Sequence, residues 1–185
     1  MKRLILMILV LTLSASANSQ TLRKEYSPKR VHAALSAGLG IPKIPFSNFR
    51  TPVSILGGAS VNLRLMRRIA VQLKGNGLYT FSLGTGNGQD GEFRFNLLYG
   101  TLDLMYRVRG NIRQEFFVSA GLGQYSLDMQ VNDNIADQTT SGFTIALTSW
   151  TFRKKLGTEF ELRWHVLFEP GSDIQILTLM FGLIL

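Results

Sequence analysis

Residues 158–168 read TEFELRWHVLF. In an extended chain successive side chains point to opposite faces. Thr158, Phe160, Leu162, Trp164, Val166 and Phe168 therefore share one face, and Glu159, Glu161, Arg163, His165 and Leu167 share the other. Such a strand suits two architectures. In a soluble barrel the apolar face turns inward around a ligand; in a membrane barrel it turns outward to lipid and the charged face fills the lumen. The fold depends on which face meets water.

The alternation recurs along the chain between turn-forming residues. Ala33, Leu35, Ala37, Leu39 and Ile41 oppose His32, Ala34, Ser36, Gly38 and Gly40; after a proline-punctuated stretch (41–52), Ile55, Ala59, Val61 and Leu63 oppose Ser54, Gly58, Ser60, Asn62 and Arg64. A third run starts at Ile69. In the fourth (93–106) the apolar phase moves from Phe93, Phe95 and Leu97 to Leu98, Leu102 and Leu104, which predicts a β-bulge near Leu97–Leu98. The fifth sets Phe116, Val118, Ala120 and Leu122 against Phe117, Ser119, Gly121, Gly123 and Tyr125, and the sixth aligns Phe143, Ile145 and Leu147. With the opening stretch and the apolar C-terminal run, this makes eight strands of roughly 9–13 residues. Long connections (GTGNGQDGE, 84–92; DMQVNDNIADQTT, 128–140) alternate with short turns at 66–68, 107–114 and 153–157. That describes an all-β, antiparallel, up-and-down meander of eight strands, and closure into a barrel removes its unpaired edges.

The chain opens MKRLILMILVLTLSASANSQ, with Lys2 and Arg3 before the apolar Leu4–Leu13 stretch and Ala15-Ser16-Ala17 as a small-residue cleavage pattern. Residues 1–17 read as a signal peptide cleaved within about 17–20. Residues 18–31 follow as a lead-in and 32–185 as the barrel, with no peptidoglycan-binding domain attached. The absence of cysteine excludes a lipoprotein anchor, disulfides and thiolate metal sites. Loss of Lys2 and Arg3 leaves a basic exported chain, for which anionic lipid or polysaccharide is an expected partner and nucleic acid is not. The glycine-rich loop 84–92 lacks the Lys-Ser/Thr ending of a phosphate cradle and reads as a surface loop. No cofactor or metal is expected.

Four features turn the apolar face outward. The polar face is rich in small residues (Ser36, Gly38, Gly40, Gly58, Ser60, Ser119, Gly121, Gly123), which suits a narrow lumen better than a solvated surface. Aromatics gather near strand ends: Tyr106, Phe116, Trp150, Phe152 and Phe160 by the short turns, and Tyr79, Phe81, Phe93, Phe95 and Phe168 by the long loops. These are expected to form two interfacial girdles. The short turns carry Arg67, Arg68, Arg107, Arg109, Arg113, Arg153, Lys154 and Lys155, while the long loops carry Asp90, Glu92, Asp128, Asp133, Asp137, Glu169 and Asp173. The last strand is apolar to its end. The transmembrane reading therefore prevails over a lipocalin-like soluble carrier.

The signal peptide, the opening strand LSAGLGI (35–41), FFVSAGLGQY (116–125) and the terminal TLMFGLIL (178–185) resemble the small eight-stranded outer-membrane β-barrels of Gram-negative bacteria, porin-like and OmpA/OmpX-type. The resemblance implies location in the outer membrane. It also implies contact with outer-membrane lipids and lipopolysaccharide, insertion by the outer-membrane assembly machinery, and an extracellular ligand for the loops. The family's assembly signal typically ends in an aromatic residue, whereas this chain ends in Leu185 with Phe181 nearest.

Charges inside a narrow barrel need partners. Glu159, Glu161, Arg163 and His165 are expected to form a lumen network with Arg64, Lys74 and Arg94 that plugs the interior and fixes register. A gated pore through the same groups is the alternative. Some similar barrels are lipid A deacylases or acyltransferases acting through a His, a Ser and an acidic residue. In the deacylases the Ser follows the His by two positions; here that position is Leu167, while Ser172 and Asp173 lie in the next loop. No catalytic residue is assigned, and His32 is a weaker candidate than His165. The expected role is structural and surface-interacting, not enzymatic.

Overall fold

The computed structural model describes residues 31–43, 53–80, 93–111, 113–131, 134–153, 156–168 and 173–185. The expected signal peptide, most of the lead-in, Phe81, Lys154, Lys155 and Ser172 lie outside the described residues, as do the side chains of Phe93 and Arg94. Eight strands follow in order: β1 (Val31–Lys43), β2 (Ser54–Arg64), β3 (Ile69–Thr80), β4 (Phe93–Gly110), β5 (Gln114–Val131), β6 (Asn134–Arg153), β7 (Leu156–Leu167) and β8 (Ile174–Ile184). Each pairs antiparallel with its sequence neighbours, and β1 pairs with β8 to close the barrel.

The register sets the barrel's width. Val31 lies opposite Leu63, then Val71, Leu104, Ala120, Ile145, Trp164 and Leu177 follow strand by strand, and the row returns to β1 at Ile41. The stagger from Val31 to Ile41 is ten residues. Eight strands with such a stagger tilt by about 40° and leave an interior that side chains can fill. Every residue in that row is apolar. Pro42, which has no N–H to give, sits near the end of β1, where pairing with β2 has already stopped at Gly40.

The outer surface is apolar on every strand, with Leu122 70 % exposed, Leu98 66 % and Phe181 63 %. A soluble monomer rarely shows more than a few hundred Å² of contiguous apolar surface, and this belt runs round the whole barrel. The soluble-carrier alternative is therefore excluded by the direction of the faces. In the opening stretch Phe160, Leu162, Trp164 and Phe168 are exposed and Glu159, Glu161, Arg163 and His165 buried. Val166 is buried although its register is outward. Its cross-strand neighbour Phe143 meets the rings of Trp164 and Phe168 on either side, which closes over it.

The structure corrects two sequence expectations about the strands. There is no bulge at Leu97–Leu98: pairing with both neighbours is continuous there, and Phe95, Leu97 and Tyr99 all point inward. The register shift lies instead between Arg107 and Arg109. Most of the predicted loop 128–140 is strand, since β5 runs to Val131 and β6 begins at Asn134. Polar residues on both faces suggest a loop, but a hairpin standing clear of the lipid is polar on both faces too.

Candidate functional site

The lumen has three layers. Towards the long loops Leu56, Leu78, Phe95, Leu97, Leu127 and Leu167 belong to one apolar cluster with Tyr99, Tyr125 and Met180. Towards the short turns a smaller cluster gathers Ala34, Ala70, Met105, Phe117, Trp150 and Ile184, with Phe152 against it. Charged groups lie between and below.

Arg163 on β7 is the hub. Its Nη1 lies 2.7 and 2.8 Å from the two carboxylate oxygens of Asp103 on β4. Its Nε and Nη2 donate to Glu161 at 2.9 and 3.1 Å, and Nη2 donates to the Gln72 amide oxygen at 2.7 Å. Thr101 and Thr144 hydroxyls donate to Asp103. Lys74 on β3 bridges Glu161 at 2.8 Å and Glu159 at 3.4 Å. Glu159 in turn accepts the Trp150 indole N–H at 2.9 Å. All these side chains are buried, so each ion's lost hydration is offset only by its neighbours.

Small inner residues make room for them. A Cβ on Gly121 would collide with Asp103 and with the Leu102 carbonyl, and one on Gly123 would meet the Tyr125 ring. Alternation puts both glycines on the inner face, where the sequence placed them.

Arg64 does not join this hub. It pairs with Glu115 near the short turns, and Arg107 reaches the same carboxylate with Nη1 2.6 Å from Oε1. Among the described residues the inward cations Arg64, Lys74, Arg107 and Arg163 equal in number the inward anions Asp103, Glu115, Glu159 and Glu161, with Arg64 and Arg107 sharing Glu115 while Lys74 and Arg163 hold the other three. Asp103, Glu115 and Arg107 were missing from the expected network, although Asp103 and Glu115 carry the inward parity of their strands. The Arg94 side chain lies outside the described residues.

His165 is fully enclosed. Nδ1 is 3.0 Å from the Tyr125 hydroxyl and Nε2 is 3.4 Å from that of Thr178. Tyr99 stands edge-on to its ring at 4.8 Å. The hydroxyls facing both ring nitrogens thus belong to lumen residues, and Leu167 occupies the serine position of the deacylases. His32 packs between Trp150 and Phe152 at 5.7 and 5.5 Å.

The aromatic rings divide. Tyr79, Tyr106, Phe116, Phe160 and Phe168 are exposed on the outer face. Phe95 and Trp150 are instead buried in the lumen, and Phe152 packs half-buried against the inner cluster. They are corrections to the expected girdle. A ring near a strand end faces lipid only if its parity is outward.

No family model and no curated protein matches the chain. Among solved structures it is similar to Neisserial surface protein A, with 8 % identity and a TM-score of 0.61 over 85 % of this chain and 97 % of that one. It is similar to Ail, the attachment invasion locus protein of Yersinia pestis, with 10 % identity and a TM-score of 0.54 over 83 % and 95 %. The N-terminal β-barrel domain of Pseudomonas aeruginosa OprF gives 16 % identity and a TM-score of 0.51 over 83 % and 97 %. Identities this low speak for fold alone. In fold the chain is a closed, eight-stranded antiparallel barrel with an apolar outer belt, the architecture it shares with these small outer-membrane β-barrels.

Proposed function

We propose that the protein is a structural and surface-interacting component of the outer envelope whose lumen is filled and does not conduct. The observation that carries this reading is the buried ion network of Lys74 and Arg163 with Asp103, Glu159 and Glu161, enclosed between two apolar clusters. An open aqueous path would require both clusters to part and the charges between them to separate. Removing one partner from a buried pair costs about 3–5 kcal/mol, so the network favours a closed interior with fixed register. Lipid A modification is disfavoured because His165 is enclosed and faces Tyr125 and Thr178. The outward partners are the outer-membrane lipids and lipopolysaccharide, the assembly machinery during insertion, and a ligand met by the long loops.

Two measurements test this. In planar bilayers the purified barrel should give no conductance steps; regular steps abolished by rebuilding the Arg163 cluster would replace the reading with a pore. Lipid A from a host expressing the protein should keep its mass; a changed acyl count that disappears with His165→Ala would make it an enzyme.

A further inference from the structure

The register shift in β4 separates two arginines that a regular strand would hold on one face. Residues two apart share a face in an unbroken strand, so Arg109 would follow Arg107 into the lumen. With Val108 as the extra residue, Arg107 lies opposite Phe117 and turns in to Glu115, while Arg109 lies opposite Phe116 and turns out. Glu115 already holds Arg64 and Arg107. A third guanidinium inside would have no carboxylate left; the bulge sends it to the outer wall.

On that wall Arg109 joins a second outward arginine. The Arg68 backbone carbonyl accepts the Arg107 N–H at 2.7 Å, which extends the β3–β4 ladder into the turn. The Arg68 guanidinium donates to the Tyr106 hydroxyl at 3.2 Å on the exposed face. Tyr106 and Phe116 are the outward aromatics here, 46 % and 41 % exposed. No carboxylate among the described residues pairs with Arg68 or Arg109. The described outward acids, Asp128, Asp137 and Asp173, stand at the other end of the barrel. The wall at the turn end is thus cationic, aromatic-lined and just beyond the lipid-facing Leu102 and Leu104. Guanidinium groups match phosphate oxygens in planar, bidentate geometry.

We infer that Arg68 and Arg109, with Tyr106 and Phe116, form an outward site for the phosphodiester of an anionic glycerophospholipid in the leaflet on the short-turn side. Tyr106 holds the Arg68 side chain against the wall, and the bulge supplies Arg109. The site would fix the depth of the barrel from that side. The inference rests on the barrel spanning the membrane and is independent of whether the lumen conducts, so either can fail alone.

The test is native mass spectrometry of the full, folded chain in detergent micelles, titrated with phosphatidylglycerol and with phosphatidylcholine of the same acyl chains. The unsubstituted protein should retain phosphatidylglycerol in preference. Arg68→Gln and Arg109→Gln should each lower that preference about fivefold, the effect of one basic residue near an anionic surface, and the double variant should abolish it. Lys43→Gln, an exposed cation at the opposite end, should leave it unchanged. Heat-modifiable gel mobility verifies folding. Tyr106→Phe, which removes only the hydroxyl that holds Arg68, gives a second reading and should weaken retention less than Arg68→Gln. Equal retention of the two lipids by the unsubstituted protein, or an undiminished preference in the double variant, would overturn the inference.

Discussion

Arg163 on β7 grips Asp103 on β4 across the lumen, with one guanidinium nitrogen within 2.8 Å of both carboxylate oxygens. The two strands are not neighbours in the sheet, so this pair ties together walls that backbone hydrogen bonds do not join directly. Its partners extend the tie: Glu161 and Gln72 complete the guanidinium, and Thr101 and Thr144 complete the carboxylate.

Arg163→Met should destabilise the barrel by about 3–5 kcal/mol, because it leaves Asp103 buried without its ion partner. Asp103→Leu should cost a similar amount for the converse reason. The double variant restores charge balance, and its loss should be well below the sum of the two. Urea unfolding of the barrel in lipid vesicles, arranged as a double-mutant cycle, measures the coupling. Strict additivity would mean that the pair contributes nothing as a pair.

Gly121→Ala should cost about 1–3 kcal/mol, the usual range for adding a methyl group to a packed interior. Its new Cβ would push Asp103 away from Arg163. Gly100→Ala serves as the control, since it faces outward and the nearest atom to its new Cβ is 3.8 Å away. Thermal unfolding of the two variants should separate them; equal losses would contradict the assigned role of Gly121.

Trp150→Phe keeps an aromatic ring but removes the indole N–H that Glu159 accepts at 2.9 Å. A hydrogen bond to a buried charge is worth about 1.5–3 kcal/mol. Trp164→Phe on the lipid face loses no such bond and should stay within about 0.5 kcal/mol of the parent. The comparison again uses urea midpoints in vesicles.

Much of this arrangement was legible from parity alone. The alternation at 158–168 placed Glu159, Glu161, Arg163 and His165 inside, and the meander placed β1 beside β8. Trp150 was legible too: it has the opposite parity to Phe143, Ile145 and Leu147, and a girdle drawn from nearness to a turn overrode that signal. Phe95 was harder, because apolar residues occupy both faces of β4 near the long loops. Which lumen charges meet could not be read at all. Whether Arg64 reaches Glu115 or Glu161 depends on a ten-residue stagger summed over eight registers, and no local pattern encodes that sum. The bulge between Arg107 and Arg109 also left no apolar phase shift to detect, since both residues are arginine.

The central claim is that the apolar face meets lipid and the charged face fills the lumen, and the protein's two tryptophans report on the two faces. The decisive measurement is quenching of tryptophan fluorescence by brominated acyl chains in vesicles. With Trp164 as the sole tryptophan, in Trp150→Phe, quenching should be strong. With Trp150 as the sole tryptophan, in Trp164→Phe, it should be weak at every bromine depth. Strong quenching of Trp150 with Trp164 unaffected would turn the barrel inside out and contradict the account.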